Sequence, residues 1–329
     1  MKVLVTGGGG FLGKAIVKLL LARGDSVRSF SRSEYPELTR LGVELCRGDL
    51  SDHQAIEDAV AGCDLVFHVA AKAGVWGDYE EYYRANVIGT QNVIQACRRH
   101  GVLRLVYTSS PSVVFDGSDM EGVDESVPYP EHFHAYYPQS KAIAEQLVLD
   151  ANDQSLATVA LRPHLIWGPE DNHLVPRILE RGEKGALRRI GKRDCLVDTI
   201  YIDNAAQAHL QAADNLNIDS DVSGKAYFLS NGEPLPLWDV VNGILAAGNL
   251  PPVTRTVSPT LAYAVGAVLE KVYRALKLAG EPRMTRFVAR ELATAHWFDL
   301  SNAQRDFGFD PQISVEEGLR RLQAWLNKG

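Results

Sequence analysis

Three observations predict an α/β fold in which a doubly wound parallel sheet carries a smaller C-terminal substrate-binding lobe. Residues 2–5 read as a strand that runs into a glycine-rich turn and then a helix over 13–22, stopped by Gly24. Short β-branched runs then alternate with helical sequence through the first half of the chain. Past Pro163 the rhythm loosens, punctuated by Pro169, Pro176, Gly182 and Gly185. Such alternation means parallel strands with helices on both faces, joined by right-handed crossovers.

Residues 27–31, 43–47, 65–69, 103–108 and 158–162 continue the series of strands. Between them, 83–99 reads as one amphipathic helix, and 137–149 as another. Residues 198–203 read as a returning strand that leads into a helix, and 232 to about 295 as a second irregular stretch. The two irregular stretches are expected to form one lobe over the strand ends, where open α/β sheets bind ligands. The expected division is 1–167 with 198–230 for the nucleotide-binding sheet, and 168–197 with 231–329 for the lobe and closing helices.

A chain of 329 residues, 46% hydrophobic and 23% charged, has ample material for a core. A net charge of −7 without a basic run argues against a nucleic-acid partner. Cys46, Cys63, Cys97 and Cys195 are scattered, and the N-terminus lacks the charged segment and cleavage site of a signal peptide, so a cytoplasmic protein with reduced thiols is expected. The longest uncharged apolar run, 257–269, is about half of what spans a bilayer. Leu261, Val265, Val268, Leu269, Val272 and Leu276 nevertheless recur at helical spacing, a stripe that fits an acyl tunnel, a membrane surface or the lobe core. His132 and His134 flank Phe133 without a carboxylate pattern, and no metal is expected.

Gly7, Gly10 and Gly13, with Phe11 and Leu12 between the last two, follow the first strand. Glycine there permits a tight turn, lets a pyrophosphate touch bare backbone, and lets the helix amides face its charge. This is the opening of a Rossmann dinucleotide site. An acidic residue normally ends the second strand of an NAD site; here Ser31 and Arg32 stand in its place. A guanidinium suits a 2′-phosphate, so NADP(H) is the expected cofactor.

Tyr137 and Lys141 stand one helical turn apart, so the ammonium is expected to approach the phenol and draw its pKa down toward neutrality. Ser110, at the end of the fifth strand, is placed to hold a carbonyl oxygen as negative charge develops on it. Tyr273 and Lys277 repeat the spacing, but in an apolar helical stretch with no serine-bearing strand before it, and are read as packing and solvent residues.

In this order the motifs resemble the extended short-chain dehydrogenase/reductase superfamily, through the glycine turn, Asp49 and Leu50, 68–71, Asn86, Ser110 and the YxxxK pair. The segments AAKAGVW, YTSSPSVVF, YYPQSK and LRPHLIWGP, beginning at Ala70, Tyr107, Tyr136 and Leu161, are similar to its 3β-hydroxysteroid dehydrogenase-like branch. The resemblance implies that Asp49 and Leu50 border the adenine. It implies that Ala70, Ala71 and Lys72 pass the ribose and nicotinamide, that Thr108, Pro163, His164 and Leu165 complete that end, and that Lys141 also binds the nicotinamide ribose. It implies homodimers formed through the helices at 83–99 and 137–149.

Nucleotide-sugar enzymes of the superfamily carry an asparagine where Leu165 stands and a diphosphate-binding arginine where Val197 stands, so a UDP-sugar is not expected. Trp76, Val113, Phe115 and Trp167 are expected instead to wall a pocket for a hydrophobic small molecule. The implied activity is reduction of a 2-alkyl-3-oxoalkanoate in long-chain olefin biosynthesis, alongside partner enzymes of that pathway. The rivals are oxidation of a 3β-hydroxysteroid or 4-carboxysterol with decarboxylation, and a non-catalytic NADP(H)-binding subunit.

Overall fold

The computed structural model describes residues 1–328. Five strands come first: β1 (Lys2–Thr6), β2 (Ser26–Ser31), β3 (Glu44–Arg47), β4 (Leu65–His68) and β5 (Arg104–Thr108). Then come β6 (Met120–Val123), β7 (Ala157–Pro163), β8 (Ile166–Trp167), β9 (Arg189–Ile190), β10 (Leu196–Val197), β11 (Ile200–Tyr201) and β12 (Lys225–Leu229). The last are β13 (Leu235–Pro236), β14 (Thr256–Val257) and β15 (His296–Phe298). Seven of them make a parallel sheet in the order β12-β7-β5-β4-β1-β2-β3, the doubly wound pattern with its reversal between β1 and β4.

Strand residues alternate between two cores. Val3, Val5, Phe67, Val106 and Val159 face helices α1 (Phe11–Ala22) and, from farther along the chain, Ile202–Asn215. Leu4, Val66, Leu105, Tyr107 and Ala160 face the other layer. That layer contains His53–Val60, Gly89–Arg99 and Tyr136–Asp150. Counting Pro36–Arg40 as α2 and Tyr79–Tyr82 as α4, these three are α3, α5 and α6; Leu174–Glu183 is α7 and Ile202–Asn215 is α8.

The structure departs from the sequence reading in four places. Residues 83–99 are not one α-helix: α4 passes into a π-helical turn, Tyr83–Ile88, before α5 begins. The returning strand is only β11, which pairs with β8 outside the main sheet; the seventh strand is β12. The stretch after Gly232 is largely helical, with α9 (Leu237–Ala247), α10 (Pro259–Ala275) and α11 (Arg286–Glu291), ahead of α12 (Ser301–Phe307) and α13 (Val315–Leu326). A second sheet, β13-β10-β15-β6, joins pieces from both irregular stretches.

The fourth departure concerns α10. Its apolar stripe faces outward, with Leu261, Val268 and Leu276 exposed by 54%, 60% and 66%. Its inner face carries Ala262, Gly266 and Glu270, because a Cβ at Gly266 would lie 2.7 Å from the Thr285 carbonyl carbon and Glu270 pairs with Arg286 at 2.8 Å. Among the described residues no helix is long and apolar enough to cross a membrane.

Candidate active site

The carboxyl ends of β1, β2, β4 and β5 open into a cavity of about 440 Å³. Its walls include Gly7, Gly10, Phe11, Leu12, Gly13, Ser31, Arg32, Asp49 and Leu50 at one end. Ala70, Ala71, Lys72, Thr108, Ser110, Tyr137, Lys141 and Pro163 form the other. Gly7 has φ 71°, and a Cβ on Gly13 would sit 2.1 Å from the Gly7 carbonyl oxygen. Bare backbone is therefore built into the turn, as a bound pyrophosphate requires. Arg32 is free of the neighbouring acid, since Glu34 pairs with Arg47 at 3.5 Å. Tyr35, which packs over Gly9, and His173 also line this cavity; neither stands in a motif, and only the fold brings them there.

Hydrogen bonds lock the end of β1 to that of β4. The Thr6 hydroxyl accepts the amides of Val69 and Ala70, each at 3.1 Å, which leaves its proton for His68 Nδ1 at 2.8 Å. His68 Nε2–H then donates to Thr90 at 3.0 Å, and Thr90 to the Asn86 carbonyl at 2.6 Å. This is a neutral imidazole. Burial first, and then the Lys141 charge, push its pKa down to about 3.

Asn86 sits in the π-helical turn and clamps the loop after β4. Its Oδ1 accepts from Lys72 N at 2.7 Å, and its Nδ2 donates to Lys72 O at 3.0 Å and to Ser140 Oγ at 2.9 Å. Ser140 in turn donates to the Tyr137 carbonyl at 2.9 Å. The wide turn thus positions the cofactor loop and the catalytic helix together.

Tyr137 and Lys141 share one face of α6, but the expected contact between them is absent. Lys141 is 2% exposed; its Nζ donates to the Thr108 carbonyl at 2.5 Å and lies 4.1 Å from the Tyr107 ring centroid. Burial draws its pKa down to about 7, opposed by Glu145 one turn on. Nor is the phenol lowered as expected. Burial raises its pKa, and the Ser110 hydroxyl only partly offsets this. A neutral phenol is a proton donor, which suits reduction of a carbonyl.

A second cavity, about 620 Å³, meets the first at Ser110, Tyr137 and Pro163. Phe115, Met120, Leu165, Leu174, Phe287 and Phe298 give it apolar walls. His164 and Leu165 belong to this cavity and not to the cofactor cavity. Leu165 holds φ 46°, a left-handed conformation that asparagine tolerates better than leucine.

Of the four residues expected to wall the substrate, Phe115 lies on this cavity and three do not. Trp167 is fully buried, donating to Thr199 Oγ1 at 2.9 Å with its ring edge-on to Tyr201. Val113 is likewise core. Trp76 turns away to pack edge-on against Tyr273 of α10, with Arg274 5.1 Å from its ring. Large apolar side chains are most often buried for packing, and these follow that rule.

The lobe adds residues that no motif announces. His296 on β15 and Glu291 at the end of α11 line the second cavity. Burial pushes the pKa of His164 to about 3 and that of His296 to about 4, and raises that of Glu291 to about 8. The site therefore joins a phosphate-ready glycine turn to a phenol–serine pair at the mouth of a largely apolar pocket.

The model of the 3-beta hydroxysteroid dehydrogenase/isomerase family matches residues 4–256. The chain belongs to that family. It is 56% identical over 326 residues to a 2-alkyl-3-oxoalkanoate reductase of Stenotrophomonas maltophilia, covering 98% of this chain and 99% of that one. With a 2-alkyl-3-oxoalkanoate reductase of Shewanella oneidensis the identity is 54% over 330 residues, covering 98% and 85%. The fold is shared with a UDP-glucuronic acid 4-epimerase from Bacillus cereus solved with NAD, at a TM-score of 0.77 and 19% identity over 100% of this chain and 99% of that one. The protein is an oxidoreductase that works between an alcohol and a carbonyl.

Proposed function

We propose that this enzyme reduces a 2-alkyl-3-oxoalkanoate to the 2-alkyl-3-hydroxyalkanoate with NADPH, as a step of long-chain olefin biosynthesis. The observation that supports this best is the largely apolar cavity that opens onto Ser110 and Tyr137, in a chain more than half identical to two reductases of that name. The glycine turn, Asp49, Leu50 and Lys72 would hold the dinucleotide, and Ser31 with Arg32 its 2′-phosphate. When bound, the reduced nicotinamide supplies hydride for C3. Tyr137 donates its phenolic proton to the C3 oxygen while Ser110 holds that oxygen by a hydrogen bond. Lys141, fixed on the Thr108 carbonyl, keeps a cation one turn from the phenol and binds the ribose.

NADPH oxidation with 2-alkyl-3-oxo acids, 3-ketosteroids and UDP-sugars, followed by mass spectrometry of products, tests the reading. Selective turnover of the oxo acid to the hydroxy acid is expected. Oxidation of a 4-carboxysterol with loss of carbon dioxide would replace it, and tight NADPH binding without any turnover would mean a non-catalytic subunit. A Ser31→Asp, Arg32→Ala double variant should swing preference toward NADH; unchanged preference would refute the 2′-phosphate site. We further propose a cytoplasmic homodimer paired through α5 and α6, which leaves the outward stripe of α10 to meet a lipid surface or a partner enzyme. Four free cysteines fit a reducing compartment.

A further inference from the structure

The substrate proposed above carries its carboxylate two carbons from the ketone that must reach Tyr137 and Ser110. Some group in the second cavity must therefore receive an anion close to the reacting carbon. The familiar solution is an arginine, but the guanidiniums near this cavity are engaged elsewhere. Arg177, at the cavity wall, is bridged to Glu281. Arg286 is bound to Glu270 at 2.8 Å. Arg290, next to Glu291 in sequence, turns to His134 Nε2 at 2.6 Å and to the Tyr263 ring.

What remains is Glu291. It lines the cavity together with Tyr137, His164 and His296, and burial alone sets its protonation, with no hydrogen bond or ion pair among the described residues contributing. Of the ionisable side chains on that wall, it is the one whose charge reaches the Tyr137 phenol. We propose that the Glu291 carboxyl recognises the acid end of the substrate, sharing one proton with the C1 carboxylate of the oxo acid. This rests on the reductase reading and adds its recognition group.

Two carboxyl groups brought together cannot both be ionised at low cost, so one proton is held between them. Glu291 is already disposed to be neutral, because burial raises its pKa to about 8. Binding an anion beside it can only raise that value further. An acid substrate is thus taken up with a proton wherever free Glu291 is ionised, and a neutral ester is not. His164, His173, Arg177, Glu180, Glu281 and His296 also face this cavity. Arg290 lies on the same helix and Lys141 stands behind Tyr137, so the signal must be read as the difference between wild type and a Glu291 variant.

The test is calorimetric titration of the full-length, NADPH-bound enzyme with a 2-alkyl-3-hydroxyalkanoic acid, a complex that cannot turn over, at pH 9 in buffers of different ionisation enthalpy. Wild type should take up a proton with the acid but none with its methyl ester, and Glu291→Gln should take up none with either. In turnover, Glu291→Ala should raise KM for the oxo acid roughly 10- to 100-fold, the effect of a lost hydrogen bond to a charged group, while the ester changes by less than about threefold. Proton uptake that persists in Glu291→Gln, or an equal KM change for acid and ester, overturns the assignment of Glu291 while leaving the reductase reading intact. Wild type that reduces neither substrate overturns both.

Discussion

Replacing Glu145 by glutamine would strip a buried arginine of its only counter-charge. Arg162 is 3% exposed and Glu145 fully buried. Nε and Nη2 of the guanidinium donate to the two carboxylate oxygens at 3.0 and 2.6 Å, and the Tyr129 hydroxyl donates to Oε1 at 2.7 Å. The Phe228 ring lies 5.1 Å away and Arg162 Nη1 has no partner, so nothing else can neutralise the cation. Breaking such a pair from one side costs about 3–5 kcal/mol, mostly because the remaining charge stays dehydrated. At a urea m-value of about 3 kcal/mol/M, the midpoint should fall by roughly 1–1.7 M. Arg162→Met combined with Glu145→Gln should recover most of that loss, since a buried pair replaced by apolar volume is close to neutral. The variant should also depress the Lys141 pKa further, because Glu145 is the charge that raises it. A Glu145→Gln midpoint within about 0.3 M of wild type, or a double variant no more stable than the single one, would refute the reasoning.

Three further outcomes are expected. Tyr137→Phe should lower kcat by about 10²- to 10⁴-fold, with NADPH affinity by fluorescence titration changed little; near-normal turnover would remove Tyr137 as proton donor. His68 and His164 are held near pKa 3, and His209 and His296 near 4, all by burial. Between those values and about 6.5 the unfolded chain binds more protons than the folded one, so stability is full above pH 6.5 and is lost as pH falls. Thermal midpoints from pH 7 to 4 should drop steeply, and less so in His209→Asn. Leu165→Asn should leave stability within about 1 kcal/mol of wild type, because relief of the left-handed backbone offsets the lost contact. Its KM for long-chain substrates should rise, and an unchanged KM would take Leu165 off the alkyl path.

What could be read from sequence was what is local. The glycine turn, Ser31 with Arg32, and the Tyr137–Lys141 spacing each lie within one strand–helix unit, and sixteen of the eighteen residues expected around the cofactor line one cavity. Periodicity located α10 but not its outward side, since that depends on Gly266 and Glu270 meeting Thr285 and Arg286. Trp167 and Val113 were indistinguishable from pocket residues because hydrophobicity alone does not separate a wall from a core. Glu291 and His296 reach Tyr137 only after the second sheet and α11 have folded over the strand ends, more than 150 residues downstream. The placement of the Lys141 ammonium on the Thr108 carbonyl is likewise a tertiary fact.

The π-helical turn at Tyr83–Ile88 makes chain length, and not only composition, part of the active-site design. A π turn accommodates one residue more than an α-helix would over the same rise. Deleting any single residue there would restore regular winding and rotate everything on its N-terminal side by about 100° relative to α5. Tyr82, whose hydroxyl holds the Trp76 carbonyl at 3.0 Å, would be carried off the cofactor loop by that rotation. A substitution at Tyr83 or Ala85 leaves the winding count unchanged. This helix should therefore tolerate changes of spelling far better than a change of one letter in its length.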